Sequence, residues 1–186
     1  LDTKVVIYSG EGENFSAGAD IKENISFGSS LEAWRSNLGK PAVMSFLEIN
    51  QITIAAVNGF CLGGAACFVS ACDFRIATED ALLGYPEINL GMNLNWFGLP
   101  LALRLVGPSK AKRLVIGGEN ETATTLLNWG FYDEVCKKEH LIEGAERMAN
   151  FYASKSALPA QMIKRSVNAI TYNSDLAAMH MDYDQF

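Results

Sequence analysis

The chain has 186 residues, 49% of them hydrophobic and 19% charged, with a net charge of −6. This balance excludes a disordered chain and allows a sizeable core, so residues 1–186 are read as one domain. The acidic charge excludes general attraction to nucleic acid or an anionic membrane, and no apolar run approaches the roughly 18 residues of a membrane-spanning helix.

Residues 4–9, KVVIYS, form a β-branched run ended by Gly10 and predict a buried strand. The first ten residues carry no basic, apolar, small-residue leader pattern, so the chain is expected to start within its fold; a cytoplasmic location is expected, with organelle targeting left open. Residues 10–18 are turn-rich. Residues 25–40 are polar and broken by Phe27-Gly28-Ser29-Ser30, which predicts a loop leading into a helix over 41–50. Residues 53–57, TIAAV, predict a second strand closed by Asn58-Gly59. Gly63-Gly64 then opens a small-residue helix over 65–71, followed by strands over 73–78 and 82–84. Helices are expected over 96–106, 109–116, 123–129, 141–153 and 159–170, with a last short strand over 132–135. Gly107-Pro108, Gly117-Gly118 and Gly130 fall where helix C-caps belong. Strands come first and helices later, which predicts an α/β core with a helical C-terminal part.

The cysteines are Cys61, Cys67, Cys72 and Cys136, with no CxxC pair, and the histidines are His140 and His180. Neither set has metal-ligand spacing, so no metal is expected, and the thiols are read as reduced and mostly buried.

Two strand-to-loop junctions are rich in small residues: Phe15-Ser16-Ala17-Gly18-Ala19-Asp20, and the stretch from Asn58 to Ala66, NGFCLGGAA. Backbone N–H groups left unpaired at such a junction, or at a helix N-terminus, can hold a developing negative charge. The same residues also suit tight helix–sheet packing. Neither stretch fits GxGxxG or GxxxxGK[ST], which removes dinucleotide and P-loop readings. In the third notable stretch, Gly84 to Met92, Glu87 stands alone among apolar neighbours. A carboxylate so placed tends to a raised pKa, as a general acid/base needs, or it is simply a surface glutamate.

Taken in order, FSAGADIKE (residues 15–23), AAVNGFCLGGA (55–65), CDFRIAT (72–78) and PEINLG (86–91) resemble the crotonase superfamily of enoyl-CoA hydratases and isomerases. Looser similarity runs through residues 103–111, the Gly130 turn and residues 158–169. The resemblance implies a ββα spiral core with helical C-terminal elements, assembly as a homotrimer or hexamer, and an acyl-CoA thioester as ligand with no further cofactor. It also implies that strands before Leu1 and helices beyond Phe186 belong to the full family fold. By the same resemblance, the thioester oxygen would lie between the N–H groups of Ala19 and Gly64. Ala17, Asp20, Ile21 and Lys22 would lie against CoA, and Gly63, Cys67, Asn95 and Trp96 would line the substrate site.

The departures from the family pattern bear on the chemistry. Family hydratases carry two glutamates that hold one water. Glu87 matches one, while the other falls at Cys67, where a thiol with an ordinary pKa of about 8.5 is a poor substitute. A lone carboxylate suffices for a 1,3 proton shift, so the expectation leans to double-bond isomerisation with Glu87 as acid/base. Hydration, hydrolysis, decarboxylation, or a silent acyl-CoA-binding or assembly protein remain the alternatives. Cys67 is read as a neutral lining residue, or as a nucleophile activated by the helix N-terminus. Trp96 and Phe97 either narrow the acyl pocket or belong to the core.

Overall fold

The computed structural model describes residues 2–20 and 28–179. Its first strand, β1 (Val5–Ser9), is followed by helices α1 (Ser30–Ser36) and α2 (Gly39–Leu47), strands β2 (Ile52–Val57) and β3 (Phe60–Leu62), and helix α3 (Gly64–Ala71). Strands β4 (Phe74–Thr78) and β5 (Leu82–Gly84) lead into a 3-10 turn, Pro86–Leu90, and then helices α4 (Gly98–Val106) and α5 (Pro108–Gly117). Strand β6 (Glu121–Thr122), helix α6 (Ala123–Asn128), strand β7 (Glu134–Cys136) and helices α7 (Leu141–Ala153) and α8 (Ala157–Ala178) complete it.

The strands make two sheets. One has the order β1-β2-β4-β7 and is parallel throughout; the other has the order β3-β5-β6, with β3 and β5 parallel. Each successive ββα passage therefore gives one strand to each sheet, β2 and β4 to the first, β3 and β5 to the second. This is the α/β spiral core that the sequence implied. Strand β2 is buried from Thr53 to Val57 with no exposed face, which is why TIAAV reads as a continuous run rather than an alternation. Helix α3 is built almost entirely of small residues and is buried along most of its length, so it lies close against its neighbours. Among the described residues, no helix is long and apolar enough to cross a membrane.

Four differences from the sequence reading have plain causes. Strand β3 lies in a stretch read as loop; Gly59, at φ +53°, turns the chain and a three-residue strand forms directly after it. Residues 30–36, assigned to the loop, form α1, with Ser29 Oγ accepting from the Glu32 N–H at 3.2 Å. Strand β6 is only two residues long and forms by antiparallel pairing with β5, a contact with no local signal. Helix α4 starts at Gly98 and not at Trp96, because Trp96 (φ +54°) and Phe97 (φ +62°) are left-handed.

The C-terminal helix α8 is tied to the sheet by a buried charge. Lys164 Nζ lies 2.7 Å from Asp73 Oδ2 and donates to the Gln51 carbonyl at 2.8 Å. Asp73 Oδ2 also accepts from the Thr53 N–H at 2.8 Å and the Thr53 hydroxyl at 3.0 Å. Such a pair stabilises little relative to an apolar substitute, but breaking it strands the partner's charge. We therefore expect Lys164→Met to cost about 3 kcal/mol in urea unfolding. The double variant Lys164→Met/Asp73→Asn is expected to recover part of that loss.

Candidate active site

Three chain segments meet at one cavity of about 170 Å³, bordered by Ala17, Gly18, Ala19, Gly63, Gly64, Cys67, Pro86, Glu87, Leu90, Met92, Asn95 and Trp96. The first segment is brought in by backbone pairing. Ser16 forms a parallel bridge with Cys61, its N–H donating to the Phe60 carbonyl at 2.9 Å and its carbonyl accepting from the Leu62 N–H at 3.0 Å. This lays Ala17–Ala19 along the end of β3, where Gly63 and Gly64 begin α3. Gly18 is held at φ +92°, and a Cβ there would come within 2.9 Å of the Leu62 carbonyl oxygen. Only glycine suits that position.

On each segment one amide is satisfied and the next is free. The Gly18 N–H donates to Ser16 Oγ at 3.2 Å and the Gly63 N–H to the Gly84 carbonyl at 2.9 Å. Among the described residues the Ala19 N–H and the Gly64 N–H have no acceptor, and Gly64 is the first residue of α3, where no intrahelical partner exists. Two free donors thus border the same cavity.

The 3-10 turn supplies the carboxylate. Pro86 opens it, Gly91 at φ +73° closes it, and the Met92 N–H bonds back to the Glu87 carbonyl at 3.1 Å. The turn is anchored by buried Tyr85, whose hydroxyl lies 2.6 Å from Ser70 Oγ on α3. Gly63, at φ +59°, is so close to the carboxylate that a Cβ on it would lie 3.1 Å from Glu87 Oε1. The other oxygen, Oε2, is buried with no hydrogen-bond partner among the described residues. Burial raises the Glu87 pKa above the ordinary glutamate value, opposed in part by a hydrogen bond from its own backbone.

Cys67 lies one turn into α3, 1% exposed, with its Sγ packed where a Cβ on Gly98 would come within 2.6 Å. Burial, and secondly the nearby Glu87 carboxylate, push its thiol well above the usual range. The helix N-terminus does not overcome these effects, so the nucleophile alternative is set aside and a neutral thiol remains. Among the described residues, Glu87 is the sole carboxylate bordering the cavity.

Of the other residues singled out from sequence, Ala17, Gly63, Asn95 and Trp96 border the cavity. Asp20 is exposed and does not border it, and Ile21 and Lys22 lie outside the described residues. Sequence reasoning missed Leu90 and Met92, which sit on the carboxylate's own turn and the loop after it. It also missed Asn37, whose Oδ1 accepts from Trp96 Nε1 at 3.0 Å. A larger cavity of about 380 Å³, bordered by Lys164, Asp73 and Arg75, has its charges occupied with each other and with carbonyls.

Two glycine-bordered amides and one half-buried carboxylate thus share a single cavity on a ββα spiral. The full span from residue 2 to 186 matches the family described as enoyl-CoA hydratase/isomerase, and the chain belongs to that family. A probable mitochondrial enoyl-CoA hydratase of Dictyostelium discoideum is 38% identical over 168 residues, covering 90% of this chain and 60% of that protein. A crotonyl-CoA hydratase of Syntrophomonas wolfei is 33% identical over 187 residues, covering 98% of this chain and 71% of that protein. The crystal structure of an enoyl-CoA hydratase/isomerase from Xanthobacter autotrophicus Py2 superposes with a TM-score of 0.87 at 33% identity, over 97% of this chain and 68% of that one. The chain therefore spans roughly 60 to 70% of the length of these relatives.

The raised Glu87 pKa has a consequence for stability. A carboxyl whose folded pKa exceeds its unfolded one contributes stability that is present below the unfolded value and lost as pH rises through the folded value. Glu87→Gln, which mimics the protonated form, should gain stability relative to the parent as pH rises through that window. Paired thermal melts at pH 4 and pH 7 are expected to show the larger advantage at pH 7.

Proposed function

We propose that the protein is a hydratase of enoyl-CoA thioesters. The observation that carries this is the juxtaposition of Glu87 with the free Ala19 and Gly64 amides in one cavity; the names of the relatives supply the reaction. In this mechanism the thioester carbonyl accepts hydrogen bonds from the Ala19 and Gly64 N–H groups. Ionised Glu87 takes a proton from water as the hydroxide oxygen bonds to the β-carbon. The double-bond electron pair moves to the thioester oxygen, giving an enolate held by the two amides. Protonated Glu87 then returns its proton to the α-carbon, and the net change is addition of one water. Burial that raises the Glu87 pKa makes the ionised carboxylate a stronger base for the first half, and its protonated form carries the proton for the second. The CoA portion would run along Ala17 and the segment after it, and no cofactor beyond the substrate's CoA enters.

The sequence expectation leaned to isomerisation, whereas the Dictyostelium and Syntrophomonas relatives are named as hydratases, and water addition takes precedence for that reason. Isomerisation stays as the second reading because of Cys67. A buried neutral thiol cannot share the work of holding and activating water, whereas a 1,3 proton shift needs one carboxylate alone.

Turnover of a 2-enoyl-CoA and a 3-enoyl-CoA, measured beside Glu87→Gln, separates the two. Hydration of the 2-enoyl substrate, reduced about 10²–10⁴-fold in the variant, is the expected result. The rate should also fall as pH drops through the Glu87 pKa, because the base must be ionised. Conversion of the 3-enoyl substrate without water addition would instead establish the isomerase. Binding of CoA thioesters with neither reaction would overturn both.

A further inference from the structure

Trp96 sits in the cavity on unusual terms. Its indole lies directly between two glycines: a Cβ on Gly39, at the start of α2, or on Gly64, at the start of α3, would fall within the ring's van der Waals space. On its edge, Nε1 donates to Asn37 Oδ1 at 3.0 Å. Its backbone and that of Phe97 are both left-handed, at φ +54° and +62°. Non-glycine residues persist in that region only where the surroundings enforce it, and such strain gathers at ligand sites. Here the enforcement comes from Phe97, which is fully buried and meets the Tyr172 ring edge-on at 5.9 Å. The indole is therefore fixed by two glycine faces, a hydrogen bond and a strained, anchored backbone. It cannot swing away as an ordinary surface aromatic would.

This fixed ring borders the same cavity as Gly64 and Glu87 and stands between that cavity and the α1–α2 turn at Asn37–Gly39. We infer that Trp96 is the specificity-determining wall of the acyl pocket, restricting the substrate to short acyl chains. The inference rests on the CoA-thioester reading above. The cavity is about 170 Å³, and an apolar cavity of about 150 Å³ accommodates a benzene-sized group. On this inference an acyl chain of about six carbons would fill that space and a longer one would meet the indole. The glycines at positions 39 and 64 let the ring sit there, and Asn37 keeps it upright.

The test is a binding series of saturated acyl-CoAs, from butanoyl through hexanoyl and octanoyl to decanoyl, by titration calorimetry on the protein, Trp96→Ala and Asn37→Ala. Where added methylenes find apolar contact, each tightens binding by up to about fourfold. For the parent protein, affinity should stop rising beyond hexanoyl. In Trp96→Ala it should continue to rise, increasing the decanoyl-to-butanoyl affinity ratio at least about tenfold over the parent. Asn37→Ala, which keeps the ring but frees it, should give a smaller increase in the same ratio. That second variant decides the matter if removal of the ring prevents folding. Steady tightening through decanoyl in the parent would overturn the inference, as would an unchanged ratio in the variants. Absence of turnover alongside the expected ratios defeats the hydratase reading alone and leaves the wall standing. Absence of any acyl-CoA binding defeats both.

Discussion

The site depends on a short backbone pairing between two loops. Phe15 and Ser16 run beside Asn58–Leu62, with the Phe15 N–H on the Asn58 carbonyl at 2.7 Å and Ser16 bonded to Phe60 and Leu62 on either side. These bonds ask nothing of the side chains, so the residues beyond them can be as small as the chemistry demands. Phe15 fixes the pairing from beneath: it is buried, and its ring meets Tyr8 of β1 edge-on at 5.1 Å. Without this zipper the Ala19 amide would belong to a free loop and the Gly64 amide to an ordinary helix start. With it, two donors that are far apart in the chain border one cavity.

The carboxylate is brought to that cavity by a different means. Glu87 is held on a single 3-10 turn that is pinned by a hydroxyl pair, Tyr85 with Ser70, at the back of α3. Its approach to the glycine backbone explains why position 63 has no side chain, and burial there explains the displaced titration of the acid. Cys67 lies on the same helix, one turn further on, and its neutrality follows from the same dry surroundings. A single environment thus raises the pKa of the glutamate and keeps the thiol neutral. It is also why sequence alone leaned toward one-base chemistry: the missing second acid was visible, whereas the reactions of related proteins were not.

What could be read from the chain follows the range of the forces involved. Strands β2 and β4 announce themselves by apolar runs because they are buried along most of their length, whereas β1 shows its β-branched run although it is a half-buried edge strand and not the buried one the sequence predicts. The glycine junctions and the isolated glutamate are equally visible, since an unusual local composition marks each. Strands β3 and β6 are too short to carry a pattern and exist because a neighbour pairs with them. The left-handed Trp96 and Phe97 interrupt what looks like a helix, and their cause lies with Phe97's burial and the packing around it. Asn37 and Gly39 are nearly sixty positions away from the indole they hold, a relation no local pattern encodes.

The same dry core bears on how the protein opens. Cys61, Cys67 and Cys72 are unpaired and buried along β3 and α3, and burial drives all three thiols upward, Cys72 to about 12. In the closed fold they offer neither access nor thiolate to an alkylating reagent. Cys136, on β7, is only partly buried. The chain thereby carries its own clock: slow labelling of three sulfurs records how often the region around α3 breathes, while the fourth reacts on a separate schedule set at the sheet's edge.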